Sequence, residues 1–301
     1  MSIQCTKCLR PAIIYQRYSG LHLCEYHFLA DFEAKAKRTM RQNQWLVSGE
    51  KIAVALSGGK DSSAVLYFLQ NLVRDRRDIT LVAITVDEGI SGYRNPSDAV
   101  FMAEKIGVSC VVVSFADEFD LTLDQIVAEK GDRLSCSYCG VLRRHLLNRV
   151  AREMGVDRLA FGFNLDDDAQ SVLMNVLRGD VNRLCMTPSE QEGMVPRIRP
   201  FREIPEREVA LYAVLTLGFS DTKGCPYAHN ALRKDVRTLL NTYAWNHPSA
   251  RYSLIKIGEE LKKGHILQCE TLSRCKRCGE PGGPVCRVCA ICDEVKHDKR
   301  T

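Results

Sequence analysis

Lys51-Ile52-Ala53-Val54-Ala55-Leu56-Ser57-Gly58-Gly59-Lys60-Asp61-Ser62-Ser63 is the stretch on which the fold turns. Residues 51–57 are apolar without alternation, as in a strand buried on both faces. A helical pattern then runs over 61–74. A buried strand that passes through Gly-Gly into a helix turns backbone amides toward an anion, and the helix N-terminus favours negative charge. Ser57, Ser62 and Ser63 add hydroxyl donors, Lys60 adds charge, and Asp61 can cap the helix or help hold Mg2+. Ala55, Ser57, Gly58, Gly59, Lys60, Asp61 and Ser62 are therefore candidate nucleotide contacts. A plain strand-to-helix turn with a Ser/Asp cap is the bland alternative, and the full string favours nucleotide binding over it. The string is neither a Walker loop nor a dinucleotide fingerprint.

Three further strands are expected at 80–87, 109–115 and 158–163, with helices over 97–107, 121–131, 138–154 and 166–178. This alternation predicts an α/β fold with a doubly wound parallel sheet. Beyond residue 195 the pattern is mostly helical, notably 205–217 and 228–243, and a polar helix is expected over 31–48. Ligands of such sheets bind at the carboxyl ends of the strands. Asp87 follows the second strand, and Gly162-Phe163-Asn164-Leu165-Asp166-Asp167-Asp168 follows the fourth. The three acids also suit a helix N-terminus electrostatically, so a solvated cap competes with a role in chemistry.

Hydrophobic residues make up 45% and charged residues 26% of the 301, which argues against disorder. The net charge of +5 permits a nucleic-acid partner without requiring one. No apolar run reaches the ~18 residues of a membrane helix, and the N-terminus does not read as a signal peptide. A soluble cytoplasmic protein without a membrane partner is expected.

Fourteen cysteines are unusual for such a chain. Cys5, Cys8, Cys24 and His27 form one set of three cysteines and a histidine, and Cys275, Cys278, Cys286 and Cys289 form an all-cysteine set. Both read as closed structural zinc sites that staple short knots, dividing the chain into 1–30, 31–265 and 266–301. Cys292 blurs which four thiols of the second knot hold metal. Lys7, Arg10 and Arg17 rim the first knot, and Arg274, Lys276, Arg277 and Arg287 rim the second, fitting either phosphate contact or a solvated face.

Cys136 and Cys139 open a helix, whose N-terminus is expected to lower their pKa. Cys225 sits far along the chain in Lys223-Gly224-Cys225-Pro226-Tyr227. Three thiolates fall one short of a closed site, and on a [4Fe-4S] cluster they leave one iron open. A redox CxxC, or a zinc site that borrows a fourth ligand, competes with that reading. Cys110 and Cys185 read as inert packing residues, and Cys269 has no assigned role.

Ser57-Gly58-Gly59-Lys60-Asp61-Ser62 resembles the PP-loop of the N-type ATP pyrophosphatases, whose fold is adenine nucleotide alpha hydrolase-like. Those enzymes adenylate a carbonyl oxygen and release pyrophosphate. The resemblance implies nucleotide contacts at Asp87 and Gly162 and places Asp167 beside the reacting centre. Together with the CxxC, the distant Cys225 and the two knots, the chain resembles the tRNA 2-thiouridine synthetase family (the TtuA-like enzymes). Ile198-Arg199-Pro200-Phe201 and Ile204-Pro205-Glu206-Arg207-Glu208 resemble a segment of these thiolases. That resemblance implies catalytic, cluster-holding roles for Cys136, Cys139 and Cys225. Where the family often has Lys or Arg a turn after the CxxC, this chain has Arg143, which would meet the ATP phosphates or the reacting carbonyl. It further implies uridine 2-thiolation with ATP, Mg2+ and a [4Fe-4S] cluster, a tRNA substrate, and a homodimer. Sulfur would come from a ubiquitin-like protein thiocarboxylate or from sulfide. The rivals are another PP-loop enzyme, either a 2-thiocytidine synthetase or an amide-forming ligase, and a zinc-knot nucleic-acid-binding protein with a regulatory nucleotide site.

The knots give a direct expectation. Elemental analysis after loss of any labile cluster should find about two zinc per chain, and Cys278→Ala should impair folding as well as activity. Folded, zinc-free protein would remove the assignment.

Overall fold

A computed structural model describes residues 3–185, 193–219, 224–230, 232–264 and 273–298. At its centre is a five-stranded, all-parallel sheet. The expected phosphate-loop strand, β3 (Lys51–Ala55), lies in the middle. β4 (Thr80–Asp87) and then β5 (Cys110–Ser114) flank it on one side, β6 (Arg158–Ala160) and β7 (Arg197–Ile198) on the other. A separate antiparallel hairpin, β1 (Ile14–Gln16) and β2 (Leu21–Leu23), lies in the N-terminal knot.

The alternation of side chains along β3 divides the core. Ile52 and Val54 enter one apolar layer with α1 (Glu25–Gln42), α2 (Lys60–Val73), α9 (Glu206–Leu217) and the N-terminal hairpin. Ala53 enters the opposite layer with α4 (Phe115–Phe119), α5 (Leu123–Lys130) and α6 (Ser135–Glu153). That second layer also takes Cys275, Cys286 and α12 (Arg287–Asp298), so each knot is built onto a different face of the sheet. α3 (Pro96–Ile106) bridges β4 and β5. α7 (Leu165–Leu177), α10 (Leu232–Asn246) and α11 (Ala250–Gly264) form a third small cluster, with α8 (Val181–Cys185) beside α7.

Two expectations need correction, and several elements fall outside those expected. The helix awaited over 31–48 spans 25–42, with Cys24 as its N-cap and His27 in its first turn. Knot and helix therefore share residues, and the cysteine-histidine set sits at the helix start. β5 is an edge strand rather than one buried on both faces, because among the described residues no strand pairs beyond it; Val112 is 47% exposed and Cys110 half-buried. β7 has only two residues, too short to show a period. α11 and α12 lie outside the expected helices, and in α12 the cysteine spacing dominates the sequence pattern. Among the described residues, no helix is long and apolar enough to cross a membrane.

A buried polar network ties the first knot to the body. Gln16 Nε2 donates to Asp31 (2.9 Å) and to Glu208 (3.1 Å), and Tyr18 Oη donates to Glu208 (2.7 Å). Beside it Phe32 stacks on Tyr212 (ring centroids 4.0 Å, 7°) and meets Phe201 edge-on at 4.9 Å. All three rings are fully buried. Phe32→Ala should cost about 3–5 kcal/mol in denaturant unfolding; a loss under ~1 kcal/mol would show that this aromatic layer does not hold α1 to the sheet.

Candidate functional site

The phosphate loop takes its shape from its own side chains. Ser57 N–H donates to Ser62 Oγ (3.1 Å), the two hydroxyls lie 3.1 Å apart, and Ser62 Oγ donates to Gly59 O (3.1 Å). Gly58 has φ +71°, the left-handed region in which a side chain would be strained. Lys60 bonds Asp61 (2.9 Å) and Glu206 (3.3 Å), so its charge is held among acids. Asp61 Oδ1 is buried without a hydrogen-bond partner, and burial raises that carboxyl's pKa. An orphaned carboxylate oxygen near Glu206 fits a divalent cation.

The carboxyl end of β6 presses on this loop. A Cβ added at Gly162 would lie 2.8 Å from the Asp61 carbonyl carbon and the Ser62 nitrogen. Only a residue without a side chain permits that approach. α7 starts immediately after, capped by Asn164, whose side chain accepts from the N–H groups of Asp166 (3.0 Å) and Asp167 (3.2 Å). The three acids have different surroundings. Asp166 is buried, accepts from Glu206 N–H (2.8 Å) and pairs with Arg251 (2.6 Å). Asp168 pairs with Arg199 at 2.6 Å. Asp167 faces a cavity, meets Arg233 at 3.2 Å, and is pushed up to about 6 by burial.

That cavity, about 270 Å³, opens at the carboxyl ends of β3, β4 and β6. Of the expected nucleotide contacts, Ala55, Ser57, Asp61, Ser62, Arg143 and Gly162 line it, with Asp167. Gly58, Gly59 and Lys60 belong to the adjoining loop but do not line it. Asp87 lies outside; its carboxylate accepts from Gly89 N–H (2.9 Å) and faces a more open depression that also holds Arg94.

Three arginines escaped the sequence reading. Arg144 and Arg197 line the cavity. A Cβ added at Gly59 would lie 3.0 Å from an Arg94 guanidinium nitrogen, and Arg94 Nε is buried and unpartnered. Its place against the glycine loop suits a phosphate ligand. No motif marks Arg94, which the β4–α3 connection brings to the loop; Arg144, directly after Arg143, carried the only available signal.

Arg143 joins the cavity to the thiols. It bonds Glu88 at 3.1 Å, and its charge acts on both Cys139 and Cys225. Cys139 is 9% exposed and Cys136 is exposed, both in the first turns of α6. Cys136 Sγ lies 3.7 Å from Tyr227 O. Tyr227 belongs to a 3-10 turn (Pro226–Asn230) just after Cys225, and its hydroxyl donates to Asp124 at 2.6 Å. The three cysteines thus lie near one another where α6, that turn and the end of β4 converge, close enough for Cys136 and Cys225 to act electrostatically on Cys139. The expected lowering of the thiol pKa by the helix N-terminus does not hold at Cys139, which burial pushes up to about 11. Burial also raises Cys225. Desolvation outweighs the helix dipole here. Among the described residues, the three sulfurs are not one of the groups whose ligand atoms all lie within 4.8 Å of one another.

The knots differ in this respect. In each of Cys5/Cys8/Cys24/His27 and Cys275/Cys278/Cys286/Cys289, the ligand atoms lie within 4.8 Å of one another. Donors from the N–H groups of Cys278, Cys286 and Arg277 lower Cys275 to about 6, the thiolate character a metal requires. Cys292 stands outside the second set, Cys185 is buried, and Cys269 lies outside the described residues.

Comparison with known proteins agrees with this arrangement. The PP-loop domain family matches residues 29–236, and the N-terminal LIM domain of 2-thiouridine synthetase TtuA matches residues 4–29. The chain is 37% identical to the tRNA 2-thiolation protein NcsA of Haloferax volcanii, over 92% of this chain and 94% of that one. It is 36% identical to the cytoplasmic tRNA 2-thiolation protein 1 of Anopheles gambiae, over 93% of this chain and 84% of that one. Among solved structures it resembles the U34-tRNA thiolase NcsA from Methanococcus maripaludis with its [4Fe-4S] cluster, with a TM-score of 0.83, 36% identity and 96% of each chain covered. With a PP-loop domain matched over most of its length and relatives of this identity and coverage, the chain belongs to the TtuA-like tRNA 2-thiolation family of PP-loop proteins.

Proposed function

We propose that this protein thiolates C2 of a tRNA uridine at the expense of ATP, with the wobble uridine as target. The observation that carries the reading is Arg143, one side chain lining the nucleotide cavity and acting electrostatically on two thiols of the triad. The names of the Haloferax, Anopheles and Methanococcus relatives support the substrate, and the last supports its position.

In this reading the amides and hydroxyls of residues 57–62 hold the pyrophosphate end of ATP, joined by Arg94. Asp61 and Glu206 would hold Mg2+, which offsets phosphate charge. The uridine O2 attacks the α-phosphorus, and the bond to the β-phosphate breaks. O2 adenylation removes the N3 proton, and Asp167, with its raised pKa, is the nearby base. Sulfide-level sulfur, arriving as HS−, then adds at C2, the C2–O2 bond breaks with departure of AMP, and the thiol proton returns to N3. Arg143 and Arg144 offset the negative charge of adenylate and thiolate.

Cys136, Cys139 and Cys225 would hold the [4Fe-4S] cluster, which supplies an iron with no protein ligand. Buried Cys139 beside Arg143 suits such ligation, because a metal stabilises the thiolate that burial alone disfavours. The two knots would hold structural zinc. A ubiquitin-like thiocarboxylate protein or sulfide as donor, a homodimeric assembly and a cytoplasmic location complete the proposal on family membership.

Anaerobically prepared protein should be brown, with about four iron and four sulfide per chain. Cys139→Ala should remove colour and sulfur incorporation into tRNA while ATP affinity stays within about twofold, since the phosphate loop is separate. ATP should yield AMP and pyrophosphate; release of ADP would sink the assignment.

With ATP and Mg2+ saturating, the adenylation rate should fall as pH drops through about 6 and Asp167 takes up its proton. Asp167→Asn should lower the rate and remove that acid limb. Stability runs in the opposite sense. Between the unfolded value of 3.8 and about 6, the folded state holds a proton that the unfolded state releases, so stability declines as pH rises through this window. A pH–rate profile unchanged by Asp167→Asn would refute the role.

A further inference from the structure

A second cavity, about 310 Å³, lies on the α7 and α11 side of the β7 edge. Six cations line it: Arg183, Arg197, Arg199, Arg202, Arg233 and Lys262. Among the described residues lining it, only two carboxylates, Asp168 and Glu259, face them. Asp168 is shared between Arg199 (2.6 Å) and Arg202 (3.7 Å), and Glu259 also goes to Arg202. Arg233 is turned to Asp167, and Arg183 to Asp180. Among the described residues, neither Arg197 nor Lys262 has an acid within ion-pair distance, and Arg202 Nε is buried without a hydrogen-bond partner.

Such an excess of positive charge in a recess is costly without an anion. Burial first, and then Arg199 and Arg202, pull the Lys262 ammonium below its usual range. Burial, with Arg144 and Arg199, does the same to Arg197. A bound anion would relieve both.

The cavity adjoins the nucleotide site. Phe161, Phe163 and Arg197 line both. Phe161 and Phe163 stack at 5.6 Å and 16°, with Arg197 5.6 Å from the centre of the Phe161 ring. Phe163 remains 43% exposed, an aromatic face at the boundary of the two cavities. Aromatic faces beside a cationic groove are how single-stranded nucleic acid is held, one part stacking bases and the other following the backbone.

We propose that this second cavity binds a backbone phosphate of the RNA strand beside the target uridine, with Phe163 as the ledge over which the strand passes into the nucleotide site. The inference rests on tRNA being the substrate. It adds a subsite that fixes the register of the strand by charge and stacking, without reading sequence. A free anion such as the released pyrophosphate offers the same chemistry and is the competing occupant. The aromatic ledge favours the RNA, since a free anion has no use for it.

The test uses the full protein with Lys262→Gln and Arg183→Gln, singly and together. Unmodified tRNA binding is measured by fluorescence anisotropy over a salt series, and ATP and pyrophosphate binding by calorimetry. For Lys262→Gln, tRNA affinity should fall roughly three- to tenfold at moderate salt and the log–log salt slope should shrink by about one. The loss should be alike for tRNAs of different sequence, and ATP affinity should not change, which also reports that the variant is folded. If the wild type binds tRNA and the double variant binds it equally well with the same slope, the subsite is overturned while the thiolase reading stands. If only pyrophosphate affinity falls, the cavity belongs to the product and the proposal is also overturned. A wild type that binds ATP but no tRNA overturns the substrate reading, and this inference with it.

Discussion

The close approach of Gly162 to the Asp61–Ser62 backbone is the constraint on which the rest of the site depends. An added Cβ would sit 2.8 Å from main-chain atoms that cannot move without breaking the first turn of α2. This approach brings the end of β6 against the phosphate loop. α7 therefore begins beside it, and Asp167 reaches the same cavity as Ser57 and Ser62. A side chain at 162 would separate the two halves of the centre while leaving each locally intact.

Electrostatics then divides the labour among residues of one type. Asp166, Asp167 and Asp168 share a helix turn, yet Asp166 closes an ion pair with Arg251, Asp168 anchors Arg199, and Asp167 is left in the cavity with a raised pKa. The cysteines separate in the same way. Backbone N–H donors pull Cys275 down to about 6 in its knot, whereas burial pushes Cys139 up to about 11 beside Arg143. Local donors decide the first and desolvation the second.

The two knots sit on opposite faces of the sheet. The first joins the layer of α1, α2 and α9 through Gln16, Tyr18 and Glu208; the second joins the layer of α6, where Arg152 meets the buried Glu280. Cys24 is at once a member of the Cys5/Cys8/Cys24/His27 cluster and the N-cap of α1, so that cluster and the helix start are one structural unit. Each knot thereby joins a helix layer on its own face of the sheet.

By itself the sequence determined the parallel sheet, the phosphate loop and the two ligand sets, because each is encoded locally. An unbroken apolar run, a Gly-Gly turn and paired cysteine spacings are legible within twenty or so residues of one another. It also singled out Cys136, Cys139 and Cys225, although nothing local says that residues so far apart meet. Only the tertiary structure decided that Tyr227 is anchored to Asp124 and so holds the Cys225 turn against α6, that Arg94 lies over Gly59, and that Arg197 and Lys262 share a basic recess. It also decided the sign of the Cys139 shift and the exposure of β5. Burial and long-range juxtaposition set these properties. Both belong to the packing of elements distant in the chain, and neither leaves a period or a motif to read.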